Sequence, residues 1–427
     1  SVYEASPEPW KEKDVGDAKG TVLSRDDAKV LPYNARDCVH TARIKRSIDS
    51  EAEWNTLRVR TLYAKHSELS DCAAEMYARG FAISEQARLA TAKKLTDLHN
   101  GRRALISRLL GTHKLVVHPN VLRSVLFERH RRKGLPCFGI KDPIGKHAFT
   151  PAGQCATDTE ALLALLADPQ TPDAARKLIP AYWEAVAALK AKSTYVTSQR
   201  VVRNIGHDGR MRASWNPRGT SVGRWSCSDP NLQNLTRHHD ETSRQGELPD
   251  IRAMYRAAPG CVLVHCDYSQ FHPRIMVAMS GDATLAKWVA TEDLYSQIAR
   301  AWFGVPEGEA VKKPARHQCK VGYLAAQYGV GADRLWLQLL GAFPTMPFRA
   351  AAEFHSAFPR TFPGIIDYWA DELARVTERG YSESQLWHRR LMWFERPDLP
   401  GAIATSILLT ESDIANDGLL LLRAALR

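Results

Sequence analysis

The chain has 427 residues, enough at roughly 100–200 residues per domain for two or three domains. Hydrophobic residues make up 44% and charged residues 25%, which excludes a disordered tail, a collagen-like repeat or a disulfide-built mini-domain, and no run of about 18 apolar residues offers a transmembrane helix. Lys and Arg total 58 against 47 Asp and Glu, and the net charge of +11 favours a polyanionic partner such as nucleic acid.

Residues 1–50 are polar and loop-like, and the first twenty lack the apolar core of a signal peptide. Helical periodicity begins near Glu51 and runs to Leu110, with Gly80 as a stop and Ser84 as the next N-cap. Arg129, Arg131, Arg132 and Lys133 form a basic run, either a solvated face or a surface that tracks phosphates. Thr157-Asp158-Thr159-Glu160 predicts a capping box, and a further helix is expected over residues 180–201. A Gly/Pro/Ser-rich stretch covers Asp208 to Asn234. The apolar run Cys261–Cys266 predicts a buried strand, and the chain beyond Ala283 reads as mainly helical. The eight cysteines include no C-x-x-C pair, so they predict reduced, mostly buried thiols in an intracellular protein rather than a zinc site.

Three segments carry chemistry. In Asp267-Tyr268-Ser269-Gln270 an acidic residue directly follows the apolar run, where a rigid strand end suits a metal-binding carboxylate. An isolated Asp at a strand end more often caps a turn. Arg316, Lys320, Leu324 and, less closely, Tyr328 recur along one helical face, so two cations one turn apart can grip a triphosphate and Tyr328 can offer a ring to a base or sugar. Two spaced cations alone more often mark a surface helix. The third segment runs from Gly219 through Thr220, Gly223 and Arg224 to Ser228-Asp229-Pro230-Asn231-Leu232-Gln233-Asn234. Its glycines, hydroxyls and amides around an Arg suit contact with sugar–phosphate without reading sequence.

Together these segments resemble the family A DNA polymerases. Asp267–Gln270 with Arg274 and Ser280-Gly281-Asp282 resembles motif A, and Arg316-x3-Lys320-x7-Tyr328-Gly329 resembles motif B. Thr220-x2-Gly223-Arg224 with Ser228–Asn234 resembles the primer–template contact segment, Lys192-Ser193-Thr194-Tyr195 the base of the thumb, and Gly380-Tyr381 with Arg389-Arg390 the return from fingers to palm. The likeness runs in order over residues 65–427. It implies an α+β right hand with an antiparallel palm sheet, a helical thumb and helical fingers. The implied divisions are an exonuclease tail over 1–50, thumb and polymerase start over 51–205, palm over 206–282, fingers over 283–380 and a return to the palm over 381–427. Tyr33-x3-Asp37 resembles the last motif of a 3′–5′ exonuclease, and motif C belongs beyond Arg427, on a later segment or a separate chain.

The resemblance further implies transfer of a dNTP to a primer 3′-hydroxyl on a DNA template. Two magnesium ions, or manganese, would be held by Asp267 and the Tyr268 carbonyl. Tyr268, Ser269, Gln270, His272, Arg316, Lys320, Leu324 and Tyr328 would bind the nucleotide. Lys192, Ser193, Thr220, Arg224, Asn231, Gln233, Asn234 and Arg390 would bind DNA. Primer–template and dNTP are the implied partners, with a processivity factor as a further candidate and no membrane, in a bacterial, phage or organellar setting. A single-subunit RNA polymerase and a non-catalytic or split DNA-binding scaffold are the alternatives. His272 stands where the family usually has Glu, and Leu324 where it usually has an aromatic, so weakened exclusion of ribonucleotides is expected. Pro273 predicts an extended His272 and a helix that starts later.

Overall fold

The computed structural model describes residues 38–46, 56–112, 117–141, 149–235, 248–291, 293–343 and 346–427. The Tyr33–Asp37 segment therefore lies outside the described residues. The chain divides into two units, Ser1–Asp71 and Cys72–Arg427. In the first, α1 spans residues 38–46 and α2 (Leu57–Arg79) begins.

The second unit is α+β, mostly helical with three small antiparallel sheets. Gly80 ends α2 with φ +58°, and a Cβ there would stand 2.6 Å from the Met211 carbonyl oxygen, so glycine is required on both counts. The chain then forms β1 (Phe81–Ile83), central in a sheet between β2 (Arg210–Met211) and β5 (Tyr255–Arg256). Phe81 pairs with Met211 and Ala82 with Arg256. Ser84 caps α3 (Glu85–Leu110) by accepting from the Ala87 N–H at 3.3 Å.

The other sequence expectations fare unevenly. α4 (Pro119–Leu126) precedes α5 (Thr159–Ala167), which is capped by the Asp158 carboxylate on the Ala161 N–H rather than by a Thr157 box. α6 (Asp173–Ala191) starts before the predicted residue 180, because Leu178, Ile179, Ala181 and Tyr182 bury a continuous face that outweighs the bond lost at Pro180. It ends in a π turn, Lys192–Val196, followed by α7 (Gln199–Arg203). Four of the eight cysteines (Cys72, Cys155, Cys227 and Cys319) are buried, whereas Cys38, Cys261 and Cys266 are exposed, and all are free thiols.

β3 (Ser214–Asn216) and β4 (Ser226–Ser228) form a hairpin around the glycine-rich segment. The helices that follow are α8 (Phe271–Ser280), α9 (Ala283–Thr291), α10 (Leu294–Phe303), α11 (Lys313–Ala326), α12 (Ala332–Ala342), α13 (Phe348–Thr361) and α14 (Pro363–Arg379). A second hairpin, β6 (Tyr381–Glu383) with β7 (Arg390–Met392), leads to α15 (Leu399–Ala425). One core joins α8 to α15, with Met276, Leu285, Ile298, Cys319, Tyr323, Phe358 and Ile403 at its centre. Smaller cores lie under α3–α6 and around Leu95, Tyr195 and Met254. Among the described residues no helix is long and apolar enough to cross a membrane.

The strand predicted for Cys261–Cys266 is not formed, and Val262 and Val264 are 81% and 83% exposed. An apolar run becomes a buried strand only when neighbours pair its backbone and cover its faces. Among the described residues no strand pairs with it, and the Cys261 N–H turns back to the Ala258 carbonyl at 2.9 Å.

Candidate active site

Asp267 follows that exposed run directly and is itself exposed. Tyr268 stacks on Phe271 with ring centroids 4.5 Å apart, and its hydroxyl rests against Gly418 on α15. Gln270 takes a left-handed φ of +50° and turns the chain into α8, while its side-chain carbonyl accepts from the Leu294 N–H at 2.8 Å. Arg274 reaches back to the Ser269 carbonyl at 2.9 Å. Against the sequence expectation, α8 starts at Phe271 and His272 is helical. Pro273 falls in the first turn, where N–H groups have no intrahelical acceptor, so its missing donor costs nothing.

Motif B lies on α11, which opens at Lys313 with Pro314 in its first turn. Arg316 and Lys320 are exposed, and Leu324 is half-buried against the core. Tyr328 is not on the helix: α11 ends at Ala326 and Tyr328 sits in the turn beyond, before Gly329 at φ +73°. Arg316 is not an open cation either. It forks onto Asp293 through bonds of 2.8 and 2.6 Å and lies 5.4 Å from the Tyr295 ring centroid. Burial pushes the Asp293 carboxyl up, but the bonds from Arg316 and Ser296 outweigh it and hold the acid below its ordinary value.

Four segments meet at His272. Its Nδ1 lies 3.0 Å from the Tyr328 hydroxyl and its Nε2 lies 3.2 Å from Glu411 on α15. Glu411 also accepts from Arg224 Nε at 2.9 Å and from Nη2. Burial raises the Glu411 carboxyl, yet the bonds from His272 and Arg224 together hold it below its ordinary value. Arg224 is set by its loop: Thr220 Oγ1 accepts the Arg224 N–H at 2.9 Å. Asn231 caps a short turn over Leu232–Asn234, where Gln233 and Asn234 are exposed, and Gln233 donates to the Trp225 carbonyl at 3.2 Å. The structure thus brings Arg224, His272 and Tyr328 together.

Other predicted residues stand apart from this cluster. Lys192 and Ser193 lie in the π turn after α6. Arg390 sits over the Tyr381 ring at 4.5 Å and bonds Glu383 at 3.4 Å. Its neighbour Arg389 is the one that reaches the glycine loop, donating to the Val222 carbonyl at 3.0 Å and to Asp413 at 2.5 Å. Sequence reasoning missed Glu411, Asp293, Arg389 and Asp413 as partners. Among the described residues no three His, Cys, Asp or Glu side chains converge as a metal cluster.

Gly418→Ala isolates the role of Tyr268. Alanine favours the helix by about 1 kcal/mol, but its Cβ would take the place of the Tyr268 hydroxyl, which must swing away. In a melt the thermal midpoint should therefore hold or rise, and a clear fall would mean that the Tyr268 hydroxyl is part of the packing of α15 rather than a contact that can give way.

Helices packed around three small antiparallel sheets thus carry the Asp267 turn into α8, whose His272 meets Tyr328, Glu411 and Arg224. The family model for DNA polymerase family A matches residues 86–397. The chain belongs to DNA polymerase family A. It is 27% identical over 370 residues to the thermostable DNA polymerase I of Thermus thermophilus, covering 85% of this chain and 40% of that protein. It is 33% identical over 204 residues to DNA polymerase I of Chloroflexus aurantiacus, covering 48% of this chain and 20% of that protein. The chain thus spans well under half the length of these curated relatives. The POL domain of Pol1 from M. smegmatis, solved in complex with DNA primer-template and dNTP, has the same fold, with a TM-score of 0.68 and 24% identity over 93% of this chain and 64% of that one.

Proposed function

We propose that this chain is the working part of a template-directed DNA polymerase that joins a dNTP to a primer 3′-hydroxyl. The observation that carries this reading is the link from Asp267 to motif B. The carboxylate opens the turn into α8, and the first turn of α8 is tied through His272 to Tyr328, just past the helix that bears Arg316 and Lys320. On this reading the metal carboxylate and the phosphate cations serve one site. Residues 51–205 act as thumb, 206–282 as palm, 283–380 as fingers and 381–427 as the return to the palm.

The donor set fits a hard divalent ion in part. The Asp267 carboxylate makes no described hydrogen bond or ion pair, and magnesium takes one or two such carboxylates together with substrate phosphates. Asp267, with the Tyr268 carbonyl, would hold the ions, which supply charge stabilisation at the transferring phosphoryl group. Lys320 meets the triphosphate as a point charge, and Arg316 does so on leaving Asp293 or through its outer face. Tyr328 and Leu324 border the sugar and base, while Thr220, Arg224, Asn231, Gln233 and Asn234 hold the primer–template, with Lys192, Ser193 and Arg390 at its flanks.

The test is primer extension by the protein that carries this chain, with dNTPs and NTPs compared. Addition dictated by the template base and favouring dNTPs supports the reading. Preference for NTPs would favour a single-subunit RNA polymerase, and DNA binding without extension would favour a scaffold. Primer–template affinity should also fall steeply as salt rises, because the net +11 charge and the exposed Arg129–Lys133 run contact phosphates and release counterions. A flat response in a fluorescence titration from about 50 to 200 mM salt contradicts phosphate tracking.

A further inference from the structure

Glu411 lies on α15, outside every motif that the sequence singles out, yet it holds two of the residues assigned to substrate. Its side chain is 17% exposed and both oxygens are used, Oε2 by Arg224 and Oε1 by His272. This fixes the imidazole tautomer. A bare Nε2 would face the carboxylate oxygen lone pair to lone pair at 3.2 Å, so Nε2 carries the proton and donates to Glu411. Arg224 Nη2, 3.4 Å from Nε2, is satisfied by the same carboxylate. Nδ1 is then an acceptor, and the Tyr328 hydroxyl must donate to it. Burial, the leading cause, pushes the Tyr328 hydroxyl far above its ordinary pKa, so it remains a donor throughout the working range.

The result is a closed chain of hydrogen bonds from Tyr328 through His272 to Glu411. Leu324 lies four residues beyond Lys320, roughly 6 Å along α11, and Tyr328 follows in the next turn, so this chain borders the sugar of a nucleotide whose phosphates meet Lys320. We propose that Glu411 is a positioning residue for sugar selection: through His272 it orients the Tyr328 hydroxyl into a closed chain that offers no donor to an extra sugar hydroxyl. A 2′-hydroxyl that approaches finds no donor: it can give its own proton to the Tyr328 oxygen, but its acceptor lone pairs stay unpaired in a half-buried site unless the Tyr328–His272 bond breaks. This inference rests on the polymerase reading. It reverses the expectation from His272 and Leu324 alone, which pointed to a weakened gate.

The test needs binding only, so it separates this inference from catalysis. The protein that carries this chain is loaded with a primer–template whose primer ends in a dideoxynucleotide, and Kd is measured for dATP and ATP opposite template T. The parent should hold dATP more tightly, and Glu411→Ala should shrink the ATP/dATP ratio of Kd values by about tenfold, mainly by improving ATP binding. Glu411→Gln, whose amide oxygen can still accept from Nε2, should recover most of the ratio. His272→Ala should match Glu411→Ala, and the double variant should lose no more than either, as expected for residues acting in series. An unchanged ratio in folded Glu411→Ala, or additive losses in the double variant, overturns the proposal. If Glu411→Ala does not fold, the same reading comes from Glu411→Gln and His272→Ala: a low ratio in the first with a full one in the second contradicts it. A parent that binds neither nucleotide overturns the polymerase reading itself.

Discussion

Asp267→Asn should reduce template-directed nucleotide addition to no more than a few per cent of the parent rate, while primer–template affinity and the melting temperature stay close to those of the parent. Asparagine keeps the shape but removes the negative charge that draws divalent ions to the site. The side chain is exposed and makes no described bond, so a stability change beyond about 0.5 kcal/mol is not expected. The check is single-turnover extension beside a binding titration and a melt, all on the whole protein that carries this chain. Lys320→Ala makes the contrast, since it should weaken use of the nucleotide more than it slows addition at saturation. Retained extension by Asp267→Asn would remove this residue from the metal site.

Arg389→Ala should be the costliest single truncation for stability. Arg389 donates through Nε to Asp413, which is fully buried, and through Nη2 to the Val222 and Leu409 carbonyls and Ser412 Oγ. Removing it leaves the buried Asp413 carboxylate with only the Trp387 N–H and Ser384 and no cation, at a cost of about 3–5 kcal/mol. Arg389→Lys restores a charge but cannot reach Asp413 and the Val222, Leu409 and Ser412 oxygens at once, so it should fall between the two. The pH dependence has a definite sign. Burial, the largest influence, already pushes the Asp413 carboxyl above its ordinary value despite Arg389. Without Arg389 the folded state takes up a proton more readily than the unfolded one, so the deficit should narrow as pH falls from neutral toward the ordinary carboxylate range. Urea melts of parent and variant at several pH values check both the size and the slope. A deficit that widens on acidification contradicts this account of the pair.

What the sequence made legible was local or spaced along one chain segment. Ser84 and Gly80 mark helix ends by their own backbone chemistry, and both stand where expected. The Asp267 turn, the Arg316–Lys320 spacing and the Thr220–Asn234 loop are contiguous runs, and they carried the family assignment. The misses have tertiary causes. Cys261–Cys266 reads as a buried strand by composition, but burial depends on neighbours, and no described residue pairs with it. Pro273 reads as a barrier to helix, but in a first turn its missing N–H is harmless. Arg316 reads as an open cation because its partner Asp293 is 23 residues away. Glu411 is 187 residues from Arg224, a pairing that no periodicity or spacing announces.

The central claim is that Asp267, the α11 cations and the Arg224 loop form one site for primer–template and the next nucleotide. The most direct measurement is the stability of the complex with a dideoxy-terminated primer–template, challenged with excess competitor DNA in the presence of each dNTP in turn. The nucleotide complementary to the template base should slow dissociation by about tenfold or more over the other three, and Lys320→Ala should abolish that difference while leaving binding without nucleotide intact. Equal dissociation with all four dNTPs, in a protein that still binds the primer–template, would contradict the account.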